Sequence, residues 1–153
     1  MAVPPWRWRL DDDARELAAN LADELPAAIT LVASTEVKAQ QTAAAIARRR
    51  RVAVAVDAGF DEVRRPRGFD PRHRDTAASY LDGATLPSWE ARGEVAARFG
   101  AAVDRHRRTD SALVVVSHGM AMSLWAAHVQ TRQDVVAAWR GLRFPDVVAV
   151  SVS

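Results

Sequence analysis

The sequence predicts an α/β protein, an open three-layer α/β/α domain whose mostly parallel sheet is covered by helices on both faces. Three observations carry that prediction. Short β-branched runs alternate with longer stretches at helical spacing. One run, Leu113-Val114-Val115-Val116, is apolar throughout, as strands buried on both faces are. Finally, 153 residues at 49% hydrophobic and 26% charged supply one core rather than two, so residues 1–153 are read as a single domain.

Taken in order, Leu10, Ala14, Leu17, Ala18, Leu21 and Leu25 form one stripe along a helix over 11–24, with acidic residues in its opening turn and Pro26 as its end. Ile29-Thr30-Leu31-Val32 is too short for a helix and reads as a buried strand. Ser34 or Thr35 is expected to cap the next helix, over 37–49, and the arginines at 48–51 suit its negative end. Residues 52–56 read as a strand. Between 57 and 87, Gly59, Pro66, Gly68, Pro71 and Gly83 exclude one long regular element. A helix opening at Ser88 or Trp89 runs to about His106, with Val95, Phe99, Ala102 and Val103 on one face. After the 113–116 strand, helical spacing resumes over 120–129, and a shorter helix lies between Thr131 and Trp139. The alternation over 147–152 predicts a closing strand.

Composition excludes several functions. Cysteine is absent, which removes disulfides, thiolate metal sites and cysteine nucleophiles together. Twenty-one basic against 19 acidic residues are too balanced to imply a nucleic-acid or membrane partner. No apolar run spans a membrane, and the prolines and arginines of residues 1–10 stand where a signal peptide needs apolar residues, so a cytoplasmic location is expected.

In open parallel sheets, ligands bind beyond the carboxyl ends of the strands, where loops run into helix N-termini that favour anions. Three strand ends here carry chemistry. One leads into Ser117-His118-Gly119, another into Ser34 and Lys38, the only lysine of the chain, and the third toward Glu62 and Arg64. Ser34, Lys38, Arg64 and Gly119 are the candidate phosphate-binding residues, and Glu62 and His118 the candidate acid and base. The expected ligand is inorganic phosphate or a small phosphorylated molecule.

Residues 33–43, Ala-Ser-Thr-Glu-Val-Lys-Ala-Gln-Gln-Thr-Ala, resemble the Ser-Ser-Pro-x-x-Arg-Ala-x-Gln-Thr-Ala pattern of the histidine phosphatase, or phosphoglycerate-mutase-like, family. Asp61-Glu62 sits where that family places an acidic residue, and residues 114–119, ending in Ser-His-Gly, match its second histidine motif. Arg9-Leu10 and the helix after them resemble the segment leading into the family's first helix. The resemblance implies phosphoryl transfer without metal or cofactor. His118 would be the second histidine, Glu62 the donor of a proton to the leaving alcohol, and Lys38 the clamp, a point charge where the family has a two-pronged arginine. The segment between Arg64 and Leu86 is short for a phosphoglycerate clamp, which favours hydrolysis over mutase transfer.

The sequence departs from the family at its start. It contains no Arg-His-Gly triplet, the motif that supplies the family's nucleophilic histidine at the end of a central strand, and no strand precedes its first helix. Arg72-His73-Arg74 and Arg105-His106-Arg107 lack a strand-end context. Losing five buried strand residues at ~1.5–3 kcal/mol each forfeits roughly 10 kcal/mol, comparable with the ~5–15 kcal/mol net stability of a domain. It also leaves the flank of residues 113–116 as an apolar edge. Three arrangements remain open: a polypeptide that begins further upstream, which is the expectation here; a gap filled by residues 2–8; or closure by a partner chain, including a homodimer through the exposed edge. In the form given, the chain is expected to be inactive or very slow, and a non-catalytic pseudophosphatase that binds a phosphorylated ligand or protein is the alternative.

Overall fold

A computed structural model of the protein describes residues 9–66, 68, 70–131 and 134–152. Asp11 caps the first helix, α1 (Asp12–Leu21), by accepting the Ala14 N–H at 2.8 Å. A 3-10 turn over Ala22–Glu24 leads into β1 (Ile29–Ala33), α2 (Val37–Arg50) and β2 (Val54–Val56). A second such turn, Ala58–Phe60, precedes α3 (His73–Leu81) and α4 (Arg92–His106). The chain continues through β3 (Ala112–Val116), α5 (Gly119–Gln130) and α6 (Val135–Gly141).

The three strands lie in the order β2-β1-β3, all parallel, with Leu31 opposite Val54 on one side and Val114 on the other. Side-chain alternation along β1 divides the core. Leu31 and Ala33 pack with Ala22, Ala43 and Ile46 beneath α1 and α2, while Val32 joins Phe60, Tyr80, Phe99, Met120 and Leu124 on the opposite face. The predicted α/β class is therefore the class found, with helices on both sides of the sheet.

The arginines after α2 do more than suit its dipole. Arg50 donates to the carbonyls of Ala22, Leu25, Pro26 and Ala27, and Arg49 pairs with Asp23, which ties the α1–β1 connection to the end of α2.

Several local expectations are corrected. Residues 147–152 form no strand. A strand exists only where its backbone is paired, and this segment runs unpaired, with Val147, Val148 and Val152 exposed at 46%, 44% and 43%. The fourth helix begins at Arg92 rather than Ser88 or Trp89, because Ser88 takes a left-handed conformation at φ 63° and the Glu90 N–H is held by the Arg64 carbonyl at 2.8 Å. The irregular stretch contains α3, a short helix that buries Ala77, Tyr80 and Leu81. Glu36, not Ser34 or Thr35, occupies the N-cap of α2.

The sheet has one consequence for the site. Every residue of β3 is only half-buried, whereas the last three of β1 are fully buried. Among the described residues β3 pairs with β1 alone, so its far side is an open, apolar, parallel edge. Residues 2–8 lie outside the described residues. No described helix is long and apolar enough to cross a membrane.

Candidate functional site

The parallel register places the ends of the three strands side by side, and backbone bonds fasten them. The Ser34 N–H donates to the Val116 carbonyl and the Asp57 N–H to the Ala33 carbonyl, both at 2.9 Å. That brings residues 84 apart in sequence into contact: Ser34 Oγ lies 2.7 Å from His118 Nε2. Ser34 is fully buried, and its oxygen also accepts the Glu36 N–H at 3.2 Å, which fixes it against the imidazole. Glu36 Oε1 stands 3.7 Å from the same ring nitrogen. Lys38 is the second residue of α2, in the turn that opens from this loop, and is half-buried. Thr35 is held by Asp61, whose carboxylate accepts its N–H and its hydroxyl at 2.7 Å each.

Glu62 approaches from the loop after β2. Its carboxylate accepts the N–H groups of Ala121 at 2.9 Å and Met120 at 3.4 Å, so it sits on the first turn of α5, where a helix offers unpaired donors and positive potential. Of the six predicted residues, His118 and Ser34 touch directly. Gly119 follows His118 as the first residue of α5, and Glu62 bonds the two residues after it. Space above Gly119 is taken by aromatic side chains: a Cβ there would lie 3.1 Å from Trp139 Nε1 and 3.2 Å from Phe144 Cζ.

Arg64 turns elsewhere. Its guanidinium pairs with Glu90 Oε1 at 2.8 Å and its backbone N–H donates to Glu90 Oε2 at 3.0 Å. Glu90 is the hub of this loop, its side chain only 1% exposed. Arg98 meets both Glu90 oxygens at 2.8 and 3.0 Å and donates to the carbonyls of Gly59, Asp61 and Glu62. One guanidinium thus fixes the backbone that presents both Asp61 and Glu62. Burial alone would push the Glu90 carboxyl up, but the Arg98 hydrogen bonds and the Arg64 N–H outweigh it and hold Glu90 below the ordinary carboxylate value. Burial together with the Glu90 charge pushes the Tyr80 hydroxyl, which donates to the Glu90 carbonyl, up to about 12.

Neither Arg-His pair stands in a strand-end motif. His73 opens α3, where burial, then the Arg65 charge, hold its imidazole below the usual histidine value. His106 ends α4 and bonds Asp57 at 2.8 Å. Sequence reasoning does not reach the roles of Glu36, Glu90 or Arg98. The available signal was Arg98, a charge beside Val95, Phe99 and Ala102 on the buried face of α4, which demands a partner. Among the described residues, no three His, Asp or Glu side chains converge to hold a metal ion.

The adjacent parallel strand ends thus gather a histidine, a serine and a helix start whose amides a carboxylate holds. The chain belongs to the histidine phosphatase superfamily, branch 1, whose sequence profile matches residues 11–152. No curated protein matches the sequence. Solved structures share the fold. A mycobacterial glucosyl-3-phosphoglycerate phosphatase in complex with VO3 superposes with a TM-score of 0.65 at 22% identity, over 90% of this chain and 78% of that one. YhfR of Bacillus stearothermophilus gives 0.67 at 20% identity, over 88% and 74%. A phosphoglycerate mutase of Bacillus anthracis gives 0.64 at 16%, over 85% and 72%.

Proposed function

We propose that this chain carries the phosphate-binding half of a cytoplasmic phosphomonoesterase site. His118, Lys38, Ser34 and Gly119 gather around the oxyanion of a small phosphomonoester, and Glu62 is the proton donor to the leaving alcohol. The observation that carries the reading is the 2.7 Å contact between Ser34 and His118, since it joins the two motif-bearing strand ends at one point. A glucosyl-3-phosphoglycerate phosphatase of the same fold has been crystallised with inorganic phosphate, which supports the ligand class.

Turnover through a phosphohistidine needs a nucleophile that the sequence does not contain in motif form, and the open edge of β3 is where a strand bearing it would lie. The chain by itself is expected to hydrolyse p-nitrophenyl phosphate no faster than a buffer blank, with turnover appearing when an apolar strand ending in Arg-His-Gly is fused upstream. Fast turnover by the unfused chain would contradict this assignment. A second reading, a pseudophosphatase that binds without hydrolysing, is favoured by Lys38 in the clamp position, where a point charge holds an anion without the paired grip of arginine.

A further inference from the structure

We infer that Trp139 and Phe144 form an aromatic wall that selects phosphomonoesters whose alcohol portion is a planar ring. The inference rests on the phosphate-site reading above. Gly119 is the residue after His118 and begins α5. A Cβ at this position would lie 3.1 Å from Trp139 Nε1, 3.3 Å from Trp139 Cδ1 and 3.2 Å from Phe144 Cζ. Two rings from different segments, the end of α6 and the chain beyond it, therefore converge on the residue next to His118.

The exposure of Phe144 leaves a ring face open to a bound group. Phe144 is 72% exposed although its ring edge reaches Gly119. An aromatic side chain kept largely in water leaves apolar area that a bound ring would cover. Trp139 is half-buried and packs against the core on one side. The Arg74 guanidinium lies 5.9 Å from the centroid of the Trp139 ring, within cation–π range, and adds positive charge to the wall. A planar ring attached to a phosphate would meet aromatic surface on one side and cations around its anionic end. A short aliphatic alcohol would cover almost none of that surface.

The test is calorimetric titration of the full chain with inorganic phosphate, ethyl phosphate and phenyl phosphate. Phenyl phosphate is expected to bind about tenfold more tightly than ethyl phosphate, in line with ring burial and ring–ring contact together. Phe144→Ala should remove most of that preference and leave ethyl phosphate affinity unchanged, and because Phe144 is exposed this variant will fold. Trp139→Leu should act in the same direction. Equal affinity for the two esters, or equal weakening of both in Phe144→Ala, overturns the wall while leaving phosphate binding intact. Failure of all three ligands to bind overturns the phosphate site itself, and the wall with it.

Discussion

Glu90→Gln will lower the stability of the protein by about 3–5 kcal/mol, the usual cost of breaking a buried ion pair by removing one partner. The substitution preserves shape and removes the charge, so Arg98 keeps its place on the carbonyls of Gly59, Asp61 and Glu62 but loses the anion that balances it. The Arg64 pair contributes little to this figure. Its guanidinium is 74% exposed, and water screens such pairs to ~0–1 kcal/mol. Against a total of ~5–15 kcal/mol, the loss will show as a large fall in the urea midpoint. A fall below about 1 kcal/mol would mean that the network is not what holds the loop.

The same carboxylate sets a pH dependence. Since Glu90 is held below its ordinary value in the folded protein, the stabilisation is complete above the unfolded glutamate pKa of about 4.3 and is lost as pH falls through the lowered folded value. Glu90→Gln should therefore flatten the acid limb of the stability curve.

His118→Ala is expected to weaken binding of inorganic phosphate by about 10- to 100-fold, since a hydrogen bond to a charged group is worth ~1.5–3 kcal/mol. Folding should survive. Ser34 loses one partner, but its oxygen still accepts the Glu36 N–H. Titration calorimetry on a variant with an unchanged thermal midpoint reads the effect, and wild-type affinity in that variant would remove His118 from the site.

The strands were legible because short β-branched runs have few other uses, and parallel pairing then brings the residues that follow them together. Once the runs ending at Val32 and Val116 are neighbours, the residues after them must meet, and Ser34 and His118 do. The misreadings arise where a local pattern depends on distant partners. Alternation over 147–152 is a strand pattern, yet a strand exists only beside another. Ser88 or Trp89 looks like the start of a helix until the Arg64 carbonyl takes the Glu90 N–H. Arg64 looked like a ligand for phosphate, and its anion is Glu90, 26 residues on. Glu62 lies beside arginines in sequence, yet its carboxylate turns to the amides of α5. These outcomes depend on partners distant in sequence, and no local spacing announces them.

At the centre of the account is one oxyanion held jointly by His118 and Lys38. Titrating inorganic phosphate into the wild type, Lys38→Met, His118→Ala and the double variant measures that directly. Each single change should weaken binding about tenfold or more, and the double should lose less than the two combined, as residues sharing one ligand are coupled by ~0.5–3 kcal/mol. Lys38→Met binding phosphate as tightly as the wild type, or a wild type that binds none, would contradict it.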